Sequence, residues 1–280
     1  QIALFIDSEI WPNMIKNLNK NKIPIILLNG RITKKSFLRW KKFPNFSKEI
    51  FSKISLAMPQ NYETVKYLKN LGVKKVKFEG NLKYFGQSKK IIDKNTKKIF
   101  KNRLIFCAAS THNSEESFIG KTHKELKLKY NNLITILIPR HTNRSKSIAN
   151  DLESLNLKVI TRSSKKQISK NTDIYIVDTY GETSKFYGLS NVTFVGGSLV
   201  PHGGQNPLEP ARMGSYILHG SNIQNFREIY IMLSKLNISS KINNIINMKK
   251  IVSKKIKFRQ PQTVIKKLNY MGNEILKKNI

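Results

Sequence analysis

The sequence holds one cysteine, Cys107, in 280 residues. A lone thiol excludes a disulfide framework and a cysteine-based metal site. Its surroundings, Leu104-Ile105-Phe106-Cys107-Ala108-Ala109, suit a small core residue in a buried strand. Long apolar runs are also missing. The longest, around residues 23–28, fits a strand and falls far short of a membrane span. No Walker A loop and no G-x-G-x-x-G occurs, so neither an NTPase nor a standard dinucleotide fold is supported. The five histidines are scattered and form no metal-ligand motif. Acidic residues are scarce as well: 17 Asp and Glu against 51 Lys and Arg leave a net charge of +34. Such a field attracts nucleic acid or an anionic membrane surface. The basic residues are mostly lysine, spread along the chain without the interleaved aromatics of a base-stacking platform. A basic nucleic-acid-binding protein is therefore the weaker reading.

What is present is an alternation of strand and helix patterns. Strands are predicted over 2–6, 23–28, 54–58 and 76–78, with helices over 12–19, from 36 to 40, and over 60–71, where Gly72 ends the helix. Residues 84–101 are polar and lysine-rich, and read as a linker and the start of a second domain. The alternation resumes with strands at 104–109, 133–138, 157–160, 174–177, 192–195 and 216–219. Helices are expected at 115–129, 145–154, 182–189 and 207–213, then near 225–236, 240–251 and 261–278. The fold class is α/β with two Rossmann-like domains, 1–88 and 89–280, each a parallel sheet with helices on both faces. The first has too few strands for a complete unit. It starts inside a strand at Gln1, so a piece of a longer protein is expected.

One stretch organises the rest: Val195-Gly196-Gly197-Ser198-Leu199-Val200-Pro201-His202-Gly203-Gly204-Gln205-Asn206-Pro207-Leu208-Glu209-Pro210-Ala211. It reads as a strand end, a glycine-rich loop and a helix start. Asn206 is placed at the N-cap, Pro207 at the first helical position and Glu209 at the third. Ligands of open parallel sheets bind beyond the carboxyl ends of the strands. Four polar clusters fall at that edge: Ser110-Thr111-His112, Pro139-Arg140-His141, Asp178-Thr179-Tyr180-Gly181-Glu182, and the loop with Glu209. Arg140 suits a phosphate, which a guanidinium matches bidentately. Glu182 or Glu209 could accept from ribose hydroxyls. Thr179 and Glu182 also have capping-box spacing, an equally good account of both.

These motifs resemble the 3-deoxy-D-manno-octulosonic acid (Kdo) transferases of lipopolysaccharide synthesis. Also matching are Asp7-Ser8-Glu9-Ile10-Trp11-Pro12-Asn13, Asn29-Gly30-Arg31-Ile32-Thr33-Lys34-Lys35-Ser36-Phe37, Gly80-Asn81-Leu82-Lys83 and Asn225-Phe226. They occur in family order across almost the whole chain. The resemblance implies a glycosyltransferase B-type fold with a truncated N-terminal domain. It implies inverting, metal-independent and cofactor-free transfer of Kdo from CMP-Kdo to the lipid A precursor, at the cytoplasmic face of the inner membrane, whose anionic surface is a further partner. A relative using a UDP-linked sugar is the alternative among enzymes.

By the same resemblance Pro139 and Arg140 contact the CMP phosphate, Tyr180, Gly181 and Glu182 line the nucleotide, and Asn206, Pro207, Leu208 and Glu209 hold ribose and base. Ser110, Thr111, His112, His141, Gly203, Gly204 and Asn225 are further donor-pocket candidates. Glu9 and Lys83 stabilise the transition state. Asp7-Ser8 stands where the family usually has Glu-Thr, and Tyr180 where it has Met. The family's general base, an early glutamate, has no counterpart among Glu9, Glu79, Asp178, Glu182 and Glu209. The chain alone is expected not to turn over.

Overall fold

A computed structural model describes residues 1–86, 92 and 94–279. They fall into two compact units: Gln1–Gly86 with the chain's end from Asn269, and a second unit that closes at Leu268. The expected boundary between residues 88 and 89 lies outside the described residues.

The first unit runs β1 (Ala3–Ile6), α1 (Pro12–Lys20), β2 (Ile25–Gly30), α2 (Lys34–Lys41), α3 (Pro44–Phe51), β3 (Leu56–Pro59) and α4 (Tyr62–Leu71). Its three strands are parallel in the order β1-β2-β3. Phe5, Ile15, Leu27, Ile50, Phe51 and Leu68 form its core. Pro12 and Pro44 stand at helix starts, where the missing N–H costs nothing. Asn61 caps α4 by accepting from the Thr64 N–H, and Gly72, at φ +108°, ends it. The strand expected over 76–78 is reduced to one bridge, Ala57 to Val76. The helical piece expected from Ser36 is two helices, α2 and α3, because Pro44 starts a new one. Only one face of β1 is covered: Ile2, Leu4 and Ile6 are 53–58% exposed.

The second unit contains α5 (Lys94–Ile99), β4 (Leu104–Thr111), α6 (Glu115–Lys127), β5 (Leu133–Pro139), α7 (Ser145–Glu153), β6 (Val159–Thr161) and β7 (Ile174–Ile176). It continues with α8 (Thr183–Tyr187), β8 (Val192–Val195), α9 (Leu208–Arg212), β9 (Tyr216–His219), α10 (Arg227–Lys235), β10 (Ser239–Lys241), α11 (Ile245–Lys255) and the start of α12 (Gln262–Asn279). Seven strands pair in the order β10-β9-β8-β4-β5-β7-β6, every pair parallel. Alternate residues of β4 serve opposite faces. Phe106 and Ala108 join one core with Leu137, Ile176 and Phe194, while Ile105, Cys107 and Ala109 join another with Ile136, Tyr175 and Met213.

Three expectations fail here. Residues 239–241 form an edge strand, β10, where a helix was expected from 240. Part of the supposed linker, 94–99, is helical. The end of α12 groups with the first unit, where Gly80 (φ +103°) receives the Ile275 side chain so closely that a Cβ would lie 3.0 Å from it. What matters for function is the middle of the large sheet. The chain leaves β4 for β5 on one side and later returns to β8 on the other, so the strand order reverses between β4 and β8.

Candidate nucleotide site

At that reversal the carboxyl ends of β4 and β8 lie side by side, and one buried carboxylate ties together the turns that follow them. Glu115, in the first turn of α6, is 1% exposed. Its Oε2 accepts from the backbone N–H groups of His112 (2.9 Å) and Gly197 (2.8 Å). Its Oε1 accepts from those of Ser198 (3.0 Å) and Leu199 (2.9 Å). Burial pushes its carboxyl up, and the four N–H groups pull the other way. The glycine-rich loop is thereby tied to the β4–α6 turn.

The glycines act by close approach. The Gly196 N–H donates to the Ala109 carbonyl (2.8 Å), and a Cβ on Gly196 would lie 2.3 Å from the Ser110 carbonyl oxygen. Gly196→Ala is expected to destabilise the second unit by about 1–3 kcal/mol, because backbone must move to admit the methyl group. Urea titration followed by tryptophan-independent far-UV circular dichroism reads it; a wild-type midpoint would contradict the tight approach. Gly203 and Gly204 adopt φ of +87° and +76°. The Gly204 N–H donates to the Gly197 carbonyl (2.7 Å), folding the loop back on itself. Asn225 closes it: its N–H donates to the Gly203 carbonyl and its Nδ2 to the His202 carbonyl, each at 2.9 Å.

Around this frame the sequence-predicted residues divide. Ser110, at φ +54°, and Thr111 end β4, and the Thr111 carbonyl accepts from the Arg140 N–H (3.0 Å), joining the first two clusters. Pro139 ends β5 and the Arg140 side chain is exposed. His112 stacks on His202 with ring centroids 4.0 Å apart and meets His141 edge-on at 6.0 Å. Burial, with His202 and His141 adding to it, lowers the His112 pKa to about 4, so its ring is neutral near pH 7. Its Nε2 is buried without a hydrogen-bond partner among the described residues.

Leu208 is buried in the first turn of α9, and Asn206 Oδ1 accepts from its N–H (3.0 Å). The helix begins one residue later than expected, with Pro207 at the cap and Glu209 in the first turn. Glu209 is half-buried, burial raises its carboxyl, and no donor among the described residues reaches it. It is an acceptor held ready for a ligand's hydroxyl groups.

The third cluster behaves differently. Tyr180 is 83% exposed and Gly181, at φ +78°, is exposed too. Glu182 is spent internally. Arg162, just past β6, donates through Nε and Nη2 to its two oxygens, Thr179 Oγ1 donates to Oε2, and Lys185 Nζ lies 3.1 Å from Oε1. The Arg162 guanidinium holds the Glu182 carboxyl down at about 2. The capping box suggested by the Thr179–Glu182 spacing is not formed, since Glu182 is itself the N-cap of α8 and makes no side-chain cap bond.

In the first unit Glu9 is exposed and its Oε2 accepts from the Trp11 indole N–H (2.7 Å). Lys83 Nζ pairs with Asp7 (3.2 Å), and Asp7 accepts in turn from Asn29 Nδ2 (2.8 Å). Asn29 Oδ1 accepts from the Leu82 N–H (2.9 Å). Asp7, just past β1, and Asn29, one residue before the end of β2, adopt φ of +55° and +51° in the left-handed region, which short polar side chains tolerate best. Glu115, Arg162 and His202 were missed from sequence. Only Glu115 carried a signal there: His112-x-x-Glu115 has the spacing at which a first-turn glutamate reaches back to a preceding N–H.

Residues 1–85 match the model of the 3-deoxy-D-manno-octulosonic-acid transferase (kdotransferase) family. The 3-deoxy-D-manno-octulosonic acid transferase of Haemophilus influenzae is 35% identical over 250 residues, 87% of this chain and 58% of that protein. Its Rickettsia felis namesake is 32% identical over 231 residues, 81% of this chain and 49% of that protein. The chain belongs to the Kdo transferase family. It spans about half the length of the curated Kdo transferases it matches. Among solved structures, the C-terminal CMP-Kdo binding domain of WaaA from Acinetobacter baumannii matches at 29% identity and a TM-score of 0.54, covering 63% of this chain and 91% of that one. A putative UDP-N-acetylglucosamine 2-epimerase from Listeria monocytogenes, 12% identical, shares the fold at a TM-score of 0.60 over 98% of this chain and 72% of its own. The parallel α/β units are those of a glycosyltransferase B-type fold. The motifs noted in the sequence fall at the ends of β1, β2, β4, β5, β7 and β8, except Gly80-Asn81-Leu82-Lys83 and Asn225-Phe226, which lie at short 3₁₀ turns.

Proposed function

We propose that this chain is the donor-binding part of an enzyme that transfers Kdo from CMP-Kdo to the lipid A precursor lipid IVA. The transfer is inverting and metal-independent, as the family resemblance implies. The observation that carries the reading is the likeness to a CMP-Kdo binding domain across nine-tenths of that domain's length. The glycine-rich loop supports it, as does Glu209, whose carboxylate no described donor reaches. In this reading Arg140 takes the phosphate, Asn206 to Glu209 take the ribose and base, and the neutral His112 ring lies in the same crevice. Glu182 acts at one remove, by fixing the Arg162 side of the pocket, so that Tyr180 and Gly181 present the loop surface. Glu9 and Lys83 serve the transferring sugar.

The uncovered apolar face of β1 supports the further proposal that additional sequence completes the first unit in the working enzyme and brings the general base. A positioned base contributes about 10²–10⁴ in rate. The +34 charge supports docking on the anionic cytoplasmic face of the inner membrane, at roughly 1 kcal/mol per basic residue near the surface. No helix among the described residues is long and apolar enough to cross a membrane.

The test is a transfer assay with CMP-Kdo and lipid IVA, run beside calorimetric titration of CMP. The expected result is saturable CMP binding without turnover by the 280 residues, and turnover once the N-terminal half of a relative is fused ahead of them. Robust turnover by the 280 residues alone would place the base within them. Failure to bind CMP, with UDP bound instead, would overturn the donor assignment.

A further inference from the structure

Three of the chain's five histidines, far apart in sequence, meet at the strand ends of the second unit. Each comes from a different strand. His112 follows β4, His141 follows β5, and His202 lies in the glycine-rich loop after β8. His112 is the buried centre, at 6% exposure. The His202 ring lies on it with planes 22° apart, and His141 meets it at 78°. Gly197, at φ +65°, leaves room for the stack: a Cβ there would lie 3.1 Å from His112 Nε2 and 3.4 Å from the His202 Cβ. His141 and His202 are both exposed, and neither ring has a hydrogen-bond partner among the described residues.

Two arginines act electrostatically on this cluster, Arg140 and Arg144. They are not equivalent. Arg144 is engaged by Glu116, through Nη1 at 3.0 Å and Nη2 at 3.3 Å. The exposed Arg140 side chain makes no hydrogen bond or ion pair among the described residues. The acidic side chains at the start of α6 are both engaged, Glu116 by Arg144 and Glu115 by its four N–H groups. Neither neutralises the cluster. Burial, and then the surrounding cations, keep His112 itself neutral near pH 7, so the central ring does not repel a charge on the outer two. Arg140 is thus one free anion-binding group, and the two exposed imidazoles beside it are a second.

Two adjacent anion sites match one property of the proposed donor. An octulosonic acid is a keto acid, and in its CMP ester the anomeric carbon carries both the carboxylate and the phosphate oxygen. A protein that holds the phosphate on Arg140 therefore meets a second anion directly beside it. CMP alone, or the nucleotide ester of a neutral sugar, presents no such pair. Imidazole N–H groups donate to a carboxylate, and the charge strengthens the bond. We propose that His141 and His202 bind the carboxylate of the donor sugar, and that His112 is the stacking platform that positions the His202 ring. The inference rests on the proposed CMP-Kdo reading and adds the feature that selects an acidic sugar over a neutral one.

The probes are CMP-Kdo, its C1 carboxamide and CMP, titrated calorimetrically in the cold into the full 280-residue chain. The amide has the shape of the acid without its charge, so the ratio of the two affinities isolates the carboxylate. The acid is expected to bind at least tenfold tighter than the amide. The double variant His141→Gln/His202→Gln is expected to bring that ratio close to one, whereas His202→Arg, which keeps a cation, is expected to preserve it. His112→Ala, which removes the platform, is expected to lower the ratio at least threefold, and His112→Phe, which keeps a ring face, to retain it. Should the double variant fail to fold, His202→Gln alone, on an exposed side chain, is expected to lower the ratio at least threefold. A wild-type ratio near one, with CMP bound normally, would overturn this proposal and leave the donor reading standing. So would a ratio unaltered in the double variant or in His202→Gln. A ratio unaltered in His112→Ala would overturn the platform role. Failure of the wild-type chain to bind CMP at all would overturn the donor reading and this inference with it.

Discussion

Replacing Glu115 with alanine is expected to lower the melting temperature of the second unit by about 8–16 °C and to abolish measurable CMP binding. The size follows from the bonding. Each carboxylate oxygen accepts two backbone N–H groups, drawn from the ends of two different strands. Removing the carboxylate strands three buried donors and one, on Leu199, that is half-buried. Each would cost about 1–3 kcal/mol if left dry, and water entering the vacated space returns part of that. A net loss on the order of 4 kcal/mol is the result, at roughly 2–4 °C per kcal/mol for a chain of this size. Glu115→Gln is the sharper variant. An amide keeps one accepting oxygen and turns its NH₂ toward two N–H groups, donor against donor. It is expected to keep the fold, melt several degrees lower and bind CMP at least tenfold more weakly. A glutamine variant with wild-type melting and wild-type affinity would show that the loop holds its shape without the pin.

Glu209→Gln is expected to leave melting unchanged and to weaken CMP about ten- to a hundredfold, the worth of hydrogen bonds to a charged group at roughly 1.5–3 kcal/mol. The two glutamates thus separate, one serving the frame and the other the ligand. A pH signature follows from the half-buried setting. Burial raises the Glu209 carboxyl above its ordinary value. The ionised form is the one that accepts from ribose hydroxyls. Affinity should therefore be full above the raised pKa and fall as the pH drops through it. Cytidine retains the hydroxyls and lacks the phosphate, which titrates on its own account near pH 6. The acid limb should appear with cytidine and vanish in Glu209→Gln, read by NMR titration at several pH values. Persistence of the limb in the variant would assign it to another group.

The sequence showed β4, β5 and β8 because each is a mostly apolar run, broken only by Thr135 in β5, Thr193 in β8 and the Ser110-Thr111 end of β4, and residues on both faces are buried. The strand-end clusters followed, since a parallel sheet puts every such end on one edge. It hid β10, a three-residue edge strand reading Ser239-Ser240-Lys241, because an edge in contact with water needs no apolar pattern. Val76 failed as a strand for lack of a neighbour beyond one bridge to Ala57.

At the site, local spacing misled where a distant partner prevailed. Thr179 and Glu182 sit three apart, as a capping box requires, but Arg162 captures the carboxylate from twenty residues away with two hydrogen bonds. Glu115 was passed over for a similar reason. Three of its four donors lie more than eighty residues downstream, and no window of sequence contains both ends.

The bare row of Ile2, Leu4 and Ile6 has a colloidal consequence. Among the described residues β1 is the outer strand of its sheet, so these 280 residues by themselves offer a second chain a strand edge and a greasy stripe. What opposes such stacking is the mutual repulsion of molecules that each carry +34. That repulsion reaches only about 8 Å at physiological ionic strength and about 3 Å at molar salt. Electrolyte therefore removes the barrier while leaving the stripe intact. The same lysines that make the surface basic act as the dispersant for an otherwise sticky ribbon.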